Sequence, residues 1–256
     1  MSKDNQPKVS IITVCYCSES TIEETITSVI SQDYPNIEYI IVDGASKDRT
    51  MEIVEKYNKN IAQKISEKDK GIYDAMNKGV SMATGEIVGI LNSDDLFASN
   101  KTISDVVEAF NQNPEVDAVY GNLNYFRSSD LSKIVRTWIP KPYYDGFFSD
   151  GEVPPHPSLF VRNDVYKKIG AYYPRFKISS DYEFMLRAFK VHKYRPYYLN
   201  QIIANMRMGG ESTRSLKNII LANKEISQAW KMNNITPPMH FWMFRIVKKI
   251  LQYVNK

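Results

Sequence analysis

No apolar run in this sequence reaches the roughly 18 residues that a membrane-spanning helix needs, and residues 1–8 are polar, without the apolar core of a secretory leader. Neither secretion nor membrane insertion is expected. Cysteine is scarce: the two present, Cys15 and Cys17, are two apart in an extended run, where a mutual disulfide would be badly strained. A reducing, cytoplasmic setting fits. The charge surplus is small, 33 Lys and Arg against 29 Asp and Glu for a net +4, too modest by itself to argue for nucleic acid, and no nucleic-acid partner is expected. Two glycine motifs are also missing. After Val14 the chain reads Cys15-Tyr16-Cys17-Ser18-Glu19-Ser20 rather than G-x-G-x-x-G, and G-x-x-x-x-G-K-[ST] occurs nowhere, which excludes a dinucleotide-binding oxidoreductase and a P-loop phosphotransferase.

What is present is an ordinary globular composition over 256 residues, 43% hydrophobic and 24% charged, enough for a central sheet covered on both faces. Lys8 to Val14 and Ile37 to Val42 read as buried strands. Between them Ser20-Thr21-Ile22-Glu23 has capping-box spacing, and Ile22, Ile26, Val29 and Ile30 share a helical face. The alternation continues through helices at 48–59 and 72–83 and strands at 61–65 and 86–91. The expectation is therefore an α/β fold with a mostly parallel sheet. Further on, a helix to Gln112, strands at 116–125, 133–138, 158–162 and 194–208, a Pro-, Gly- and aromatic-rich loop at 140–157, and a helix at 180–192 make a less regular half. From Thr213 the pattern is mostly helical.

Ligands of parallel sheets gather at the carboxyl ends of the strands, and those ends are acidic here. Ile87-Val88-Gly89-Ile90-Leu91 runs straight into Asn92-Ser93-Asp94-Asp95, Asp43 ends the second strand, and Glu67, Asp69 and Asp74 cluster before Asn77-Lys78-Gly79. Adjacent carboxylates repel unless a cation sits beside them, and hard oxygen ligands suit Mn²⁺ or Mg²⁺. Local turn capping by Asp94 or Asp95 is the plainer alternative.

Four ordered motifs carry a resemblance: Val9-Ser10-Ile11-Ile12-Thr13-Val14, then Ile41-Val42-Asp43-Gly44-Ala45-Ser46-Lys47-Asp48, then Asp69-Lys70-Gly71-Ile72-Tyr73-Asp74-Ala75-Met76-Asn77-Lys78-Gly79, and Ala83-Thr84-Gly85-Glu86 leading into Asn92-Ser93-Asp94-Asp95. Over about the first two-fifths of its length the chain resembles the family-2 glycosyltransferases of GT-A fold, inverting enzymes of bacterial polysaccharide assembly. That resemblance implies transfer of a sugar, by first expectation from a UDP-hexose or UDP-N-acetylhexosamine, to an acceptor hydroxyl. It places Thr13 and Asp43 near the nucleobase, Asp69 in the same pocket, Asn77 and Lys78 on the donor side, Asp94 near ribose and diphosphate, and Asp95 on Mn²⁺ or Mg²⁺. Asn92 stands where many relatives carry another acid, and Met76 where many carry a phosphate-binding arginine. Lys78, Arg207 or Arg214 are candidates for the missing charge.

The segment Lys177-Ile178-Ser179-Ser180-Asp181-Tyr182-Glu183 resembles the family's acid motif and makes Asp181 the candidate general base, with helix capping as its alternative. His156, among prolines, is a candidate for the acceptor or metal side, and a loop at 209–212 is a candidate donor lid. The expected organisation is a GT-A catalytic domain at 1–212, with nucleotide-sugar binding at 8–100 and the acceptor side at 101–212, followed by a helical extension at 213–256. Residues 239–256, with Arg245, Lys248, Lys249 and Lys256 and no acid, read as an amphipathic helix for the inner membrane face, where a polyprenyl-diphosphate-linked saccharide would be the acceptor; packing on the domain or a homodimer contact are the alternatives. A sugar nucleotidyltransferase and a non-catalytic carbohydrate-binding module are the competing functions.

Overall fold

The computed structural model describes residues 6–127, 130–209 and 215–245. Seven residues of β1 (Val9–Cys15) are buried without exception, the pattern of a central parallel strand covered on both faces. It pairs in parallel with β2 (Ile37–Asp43) on one side and β4 (Ile87–Ile90) on the other, and β2 pairs in parallel with β3 (Gln63–Ser66). The crossovers are α1 (Ile22–Ile30), α2 (Thr50–Lys56) and α3 (Ile72–Met82). Gly79 lets α3 lie directly on the sheet, since a Cβ there would overlap the Ile12 side chain.

Beyond β4 come β5 (Leu96–Phe97), α4 (Thr102–Gln112), β6 (Ala118–Arg127), β7 (Asp130–Trp138), β8 (Phe160–Arg162), α5 (Asn163–Ile169), α6 (Ser180–Met185), β9 (Pro196–Arg207) and α7 (Leu216–Met232). The sheet order is β3-β2-β1-β4-β8-β6-β9-β5, with β7 added on β6. β8 enters antiparallel to both β4 and β6, and the long β6–β9 register is parallel. The result is an α/β, mostly parallel sheet flanked by helices. One apolar layer runs under α1, α2 and α4, and another under α3, α5, α6 and α7.

Several local expectations change. Thr21 rather than Ser20 precedes α1, and no side-chain cap bond forms there; the backbone N–H groups of Thr21 and Ile22 turn onto Ser18 O instead. The helix expected at 180–192 is α6 followed by a π-helical turn, Leu186–Val191. There Arg187 is tied to Glu183 and to the carbonyls of Ile169, Gly170 and Ala171. The short helix α5 was not foreseen. The extension beyond 213 shares the core where it is described: Ile226, Ala229, Trp230 and Phe241 are buried in the same layer as Tyr182 and Phe184. Arg214, the greater part of the 209–212 loop and residues 246–256 lie outside the described residues.

Candidate active site

Parallel register brings three strand ends into line, with Cys15 opposite Asp43 and Asp43 opposite Ser66. Asp43 is wholly buried. Its carboxylate accepts from the Ser46 amide at 3.0 Å, from the Ser46 hydroxyl, from Ser66 Oγ at 2.5 Å and, weakly, from Cys15 Sγ at 3.7 Å. Burial, and then the Asp43 charge, push the Cys15 thiol far up, so it stays a neutral donor. The loops after β1 and β2 interlock through Cys17 N to Ser46 Oγ, Ser18 N to Thr50 Oγ1 and Glu19 N to Asp48 Oδ2. Each loop holds a non-glycine residue in the left-handed region, Cys17 at φ 49° and Ala45 at φ 62°. Such backbone persists only where its surroundings enforce it.

Thr13 sits one strand step below this rim. It is completely buried and its hydroxyl accepts from Tyr39 at 3.1 Å. Direct contact with a base does not fit that placement; Cys15, on the same face two residues on, occupies the rim. Asp69 lies across Gly44 and is paired with Lys78, which also meets Glu67 at 2.9 Å and Asp74 at 3.9 Å. Burial alone would lower the Lys78 pKa, but its bonds to Asp69 and Glu67 raise it. Lys78 therefore offsets the acids of its own loop. Asn77 clamps both backbone groups of Tyr172, donating to its carbonyl and accepting from its amide at 2.8 Å each. Its amide is thereby spent on the 172 loop, not on the donor side.

The β4 end is joined to the same rim by Ser18 Oγ and Ser93 Oγ at 2.8 Å. Asp94 is partly buried and Asp95 wholly so. Burial raises both carboxyls, and the Asp94 charge raises Asp95 further, against opposing contributions from Asn92 and Arg207. Asp95 Oδ2 accepts from Asn92 Nδ2 at 3.2 Å, while Asp95 Oδ1 and Asn92 Oδ1 are buried acceptors with no donor. Orphaned oxygens beside a carboxylate are costly unless a cation or a proton meets them. They fit a hard divalent ion completed by waters and phosphate oxygens, although no group of three or more His, Cys, Asp or Glu side chains spaced for a metal occurs among the described residues. Met76, in the arginine position, is buried in the core. Arg207 donates to Asp94 O at 3.0 Å and is paired with Glu24.

On the acceptor side, Asp181 lies in the first turn of α6. Its Oδ1 accepts from the Tyr182 amide at 2.8 Å and lies 3.0 Å from the Tyr73 hydroxyl, whose single proton is shared with Ile178 O at 2.7 Å. Burial and the Asp181 charge push Tyr73 well above an ordinary tyrosine, keeping it a donor. His156, buried, meets the Tyr172 hydroxyl through Nε2 at 2.9 Å; burial lowers its pKa while Asp181 opposes this, so the ring is neutral near pH 7. Among the described residues no carboxylate or imidazole joins it as a metal ligand, and His156 supports the tyrosine layer behind Asp181.

Three consecutive amides leading into α6 converge on one side chain of α7. Glu225 Oε1 accepts from Lys177 N at 2.7 Å, and Oε2 from Ile178 N and Ser179 N at 2.9 Å each. The glutamate is 4% exposed. Its one sequence signal was an acid on the buried stripe Glu225, Ile226, Ala229, Trp230; Tyr73 lay inside a motif already singled out. Removing a carboxylate that satisfies buried amides costs about 1–3 kcal/mol. E225Q, which replaces one acceptor oxygen by a donor, is expected to lower the melting temperature by ~5 °C and kcat by about tenfold with nucleotide affinity unchanged; scanning calorimetry and a rate assay check this.

A mostly parallel sheet flanked by helices, with acids along the carboxyl edge of its parallel half and Asp181 tied to α3 through Tyr73, defines a protein of the GT-A class. The chain superimposes with TM-score 0.70 on Staphylococcus aureus TarS 1–349 in complex with UDP-GlcNAc, at 17% identity over 97% of this chain and 72% of that one. It also matches the mannosyltransferase PcManGT from Pyrobaculum calidifontis, in complex with GDP-Man and Mn²⁺, with TM-score 0.63 at 18% identity over 99% and 77% of the two chains. Residues 10–169 match glycosyl transferase family 2, to which the chain belongs. A relative named as an uncharacterized glycosyltransferase of Mycobacterium tuberculosis is 33% identical over 184 residues, 71% of this chain and 69% of its own.

Proposed function

We propose that the protein is an inverting hexosyltransferase that moves a sugar from a UDP-sugar to an acceptor hydroxyl, with Asp181 as the base. The observation that carries this reading is the double duty of α3: its Tyr73 holds Asp181, and its Lys78 holds Asp69 against the Asp43 loop. Proton acceptor and nucleotide pocket are thus fastened to one rigid helix, the arrangement that positioned attack requires. The acceptor oxygen gives its proton to the Asp181 carboxylate and attacks the anomeric carbon. The glycosidic bond to the diphosphate breaks on the opposite face, and UDP leaves with the bonding electrons. Tyr73 and the Tyr182 amide orient the carboxylate. At the donor end, a base N–H would replace the Cys15 thiol, the longest of the contacts to Asp43. When bound, a divalent ion held by Asp95 with Asn92 would offset the diphosphate charge.

UDP is favoured over other nucleotides because Asp43 is an acceptor suited to the uracil N3–H, and because a neighbour of the same fold holds UDP-GlcNAc. For the acceptor, a lipid-linked saccharide is supported by the side chains around the helical turn 241–245: Met239, Met243 and Phe244 are exposed, and Lys248 and Lys249 follow them in the sequence. No helix among the described residues is long and apolar enough to cross a membrane.

A panel of nucleotide sugars with Mn²⁺ or Mg²⁺, read by thermal shift, tests the donor. At a hundredfold excess over Kd the bound state gains ~2.7 kcal/mol, so UDP-sugars are expected to raise the melting temperature by ~5–10 °C with GDP- and ADP-sugars inert. Release of UDP rather than pyrophosphate separates transfer from nucleotidyl exchange. No shift with any nucleotide would contradict the reading.

A further inference from the structure

The candidates singled out for the missing phosphate charge are committed where they are described. Lys78 neutralises Glu67 and Asp69, Arg207 is held by Glu24 and the Asp94 carbonyl, and Met76 contributes no charge. A nucleotide-sugar transferase nonetheless has to hold at least one phosphate group.

One guanidinium stands apart from this pattern. Residues 241–245 form a helical turn whose position is fixed at both ends. Phe241 is wholly buried with its ring 5.3 Å from that of Trp230, and the Arg245 backbone lies so close to Gly151 that a Cβ there would fall 3.0 Å from Arg245 N and 3.1 Å from Cα. The Arg245 side chain then runs over Tyr182, with Cζ 5.6 Å from the ring centroid. Tyr182 follows Asp181 in the chain and is itself pinned by Trp230 Nε1 at 2.9 Å. Among the described residues, Arg245 has no hydrogen bond and no carboxylate within ion-pair distance. Burial lowers its pKa, and the neighbouring Tyr182 and Asp181 oppose that shift. A partly buried guanidinium with five donors and only an aromatic face to meet them is poised for a ligand rather than for the fold.

We propose that Arg245 forms an anion subsite beside Asp181 that takes a phosphate group of one of the substrates. This rests on the reading of Asp181 as the transfer base. The planar fork suits two oxygens of one phosphate, a match that lysine cannot reproduce. The phosphate belongs either to the donor's diphosphate or to a phosphorylated acceptor. In both cases residues 241–245 belong to the catalytic site.

Calorimetric titration of the full chain separates these sources. Wild type, R245K and R245M are titrated with UDP and then, with UDP saturating, with inorganic phosphate. R245M is expected to weaken one ligand by about tenfold and R245K by less. A loss confined to UDP assigns the donor's diphosphate, and a loss confined to phosphate with UDP unchanged assigns the acceptor's. Should R245M fail to fold, R245K carries the comparison. Unchanged affinities for both ligands in the folded variants overturn the subsite. Wild type that binds phosphate through Arg245 but no UDP would keep the subsite and remove the nucleotide-sugar reading instead.

Discussion

D181N is expected to lower kcat by about 10³-fold, the contribution of a positioned general base, while leaving UDP affinity within about twofold of wild type. Asparagine keeps the shape and still accepts from Tyr73 and the Tyr182 amide, the two contacts that orient the side chain. It cannot take the acceptor's proton. A fall in kcat/KM that tracks kcat, with donor binding preserved, is the signature of an interaction made in the transition state. A stopped assay of UDP release beside a UDP titration checks it. Equal turnover by D181N would remove Asp181 from catalysis and leave it as an acid in the first turn of α6.

D95N is expected to do two opposite things, to lose donor turnover and to gain stability. Burial first, and then the Asp94 charge, raise the Asp95 carboxyl well above its ordinary value. Between the ordinary and the folded pKa the folded chain keeps a proton that the unfolded chain has released, so stability falls as pH rises through that window. A neutral amide removes this loss and supplies a donor where Asp95 Oδ1 and Asn92 Oδ1 now have none. The melting temperature of D95N without added metal should match wild type near pH 4 and exceed it by a few degrees at pH 8. Turnover with Mn²⁺ should drop by at least about 10²-fold, since the residue proposed to hold the ion is gone. A variant less stable than wild type at pH 8 that retains full turnover would contradict both halves.

The parallel half of the fold was legible because its signals are local. Val9–Cys15 and Ile37–Asp43 are β-branched runs with turn residues behind them, and each strand ends at a residue that register brings to the rim. The motif Asp69 to Gly79 likewise contained both Tyr73 and Lys78, although their partners lie far apart in the chain. Thr13 was misplaced by one strand step because sequence does not say how deep a strand residue sits, and Asn77 because nothing local announces that an amide will bind the backbone of Tyr172. Glu225 and Arg245 were hidden for the same reason. Each acts on the Asp181 segment from more than forty residues away, and only the packing of α7 and the following turn on α6 reveals it.

Hydrogen exchange with and without UDP tests most directly whether the acidic rim is where the nucleotide binds. Protection is expected at 15–19, 43–50, 66–70 and 92–95, four segments that are remote in sequence and adjacent at the sheet's carboxyl edge. Binding of UDP with protection elsewhere, or with none at these segments, would show that the rim is not the donor site.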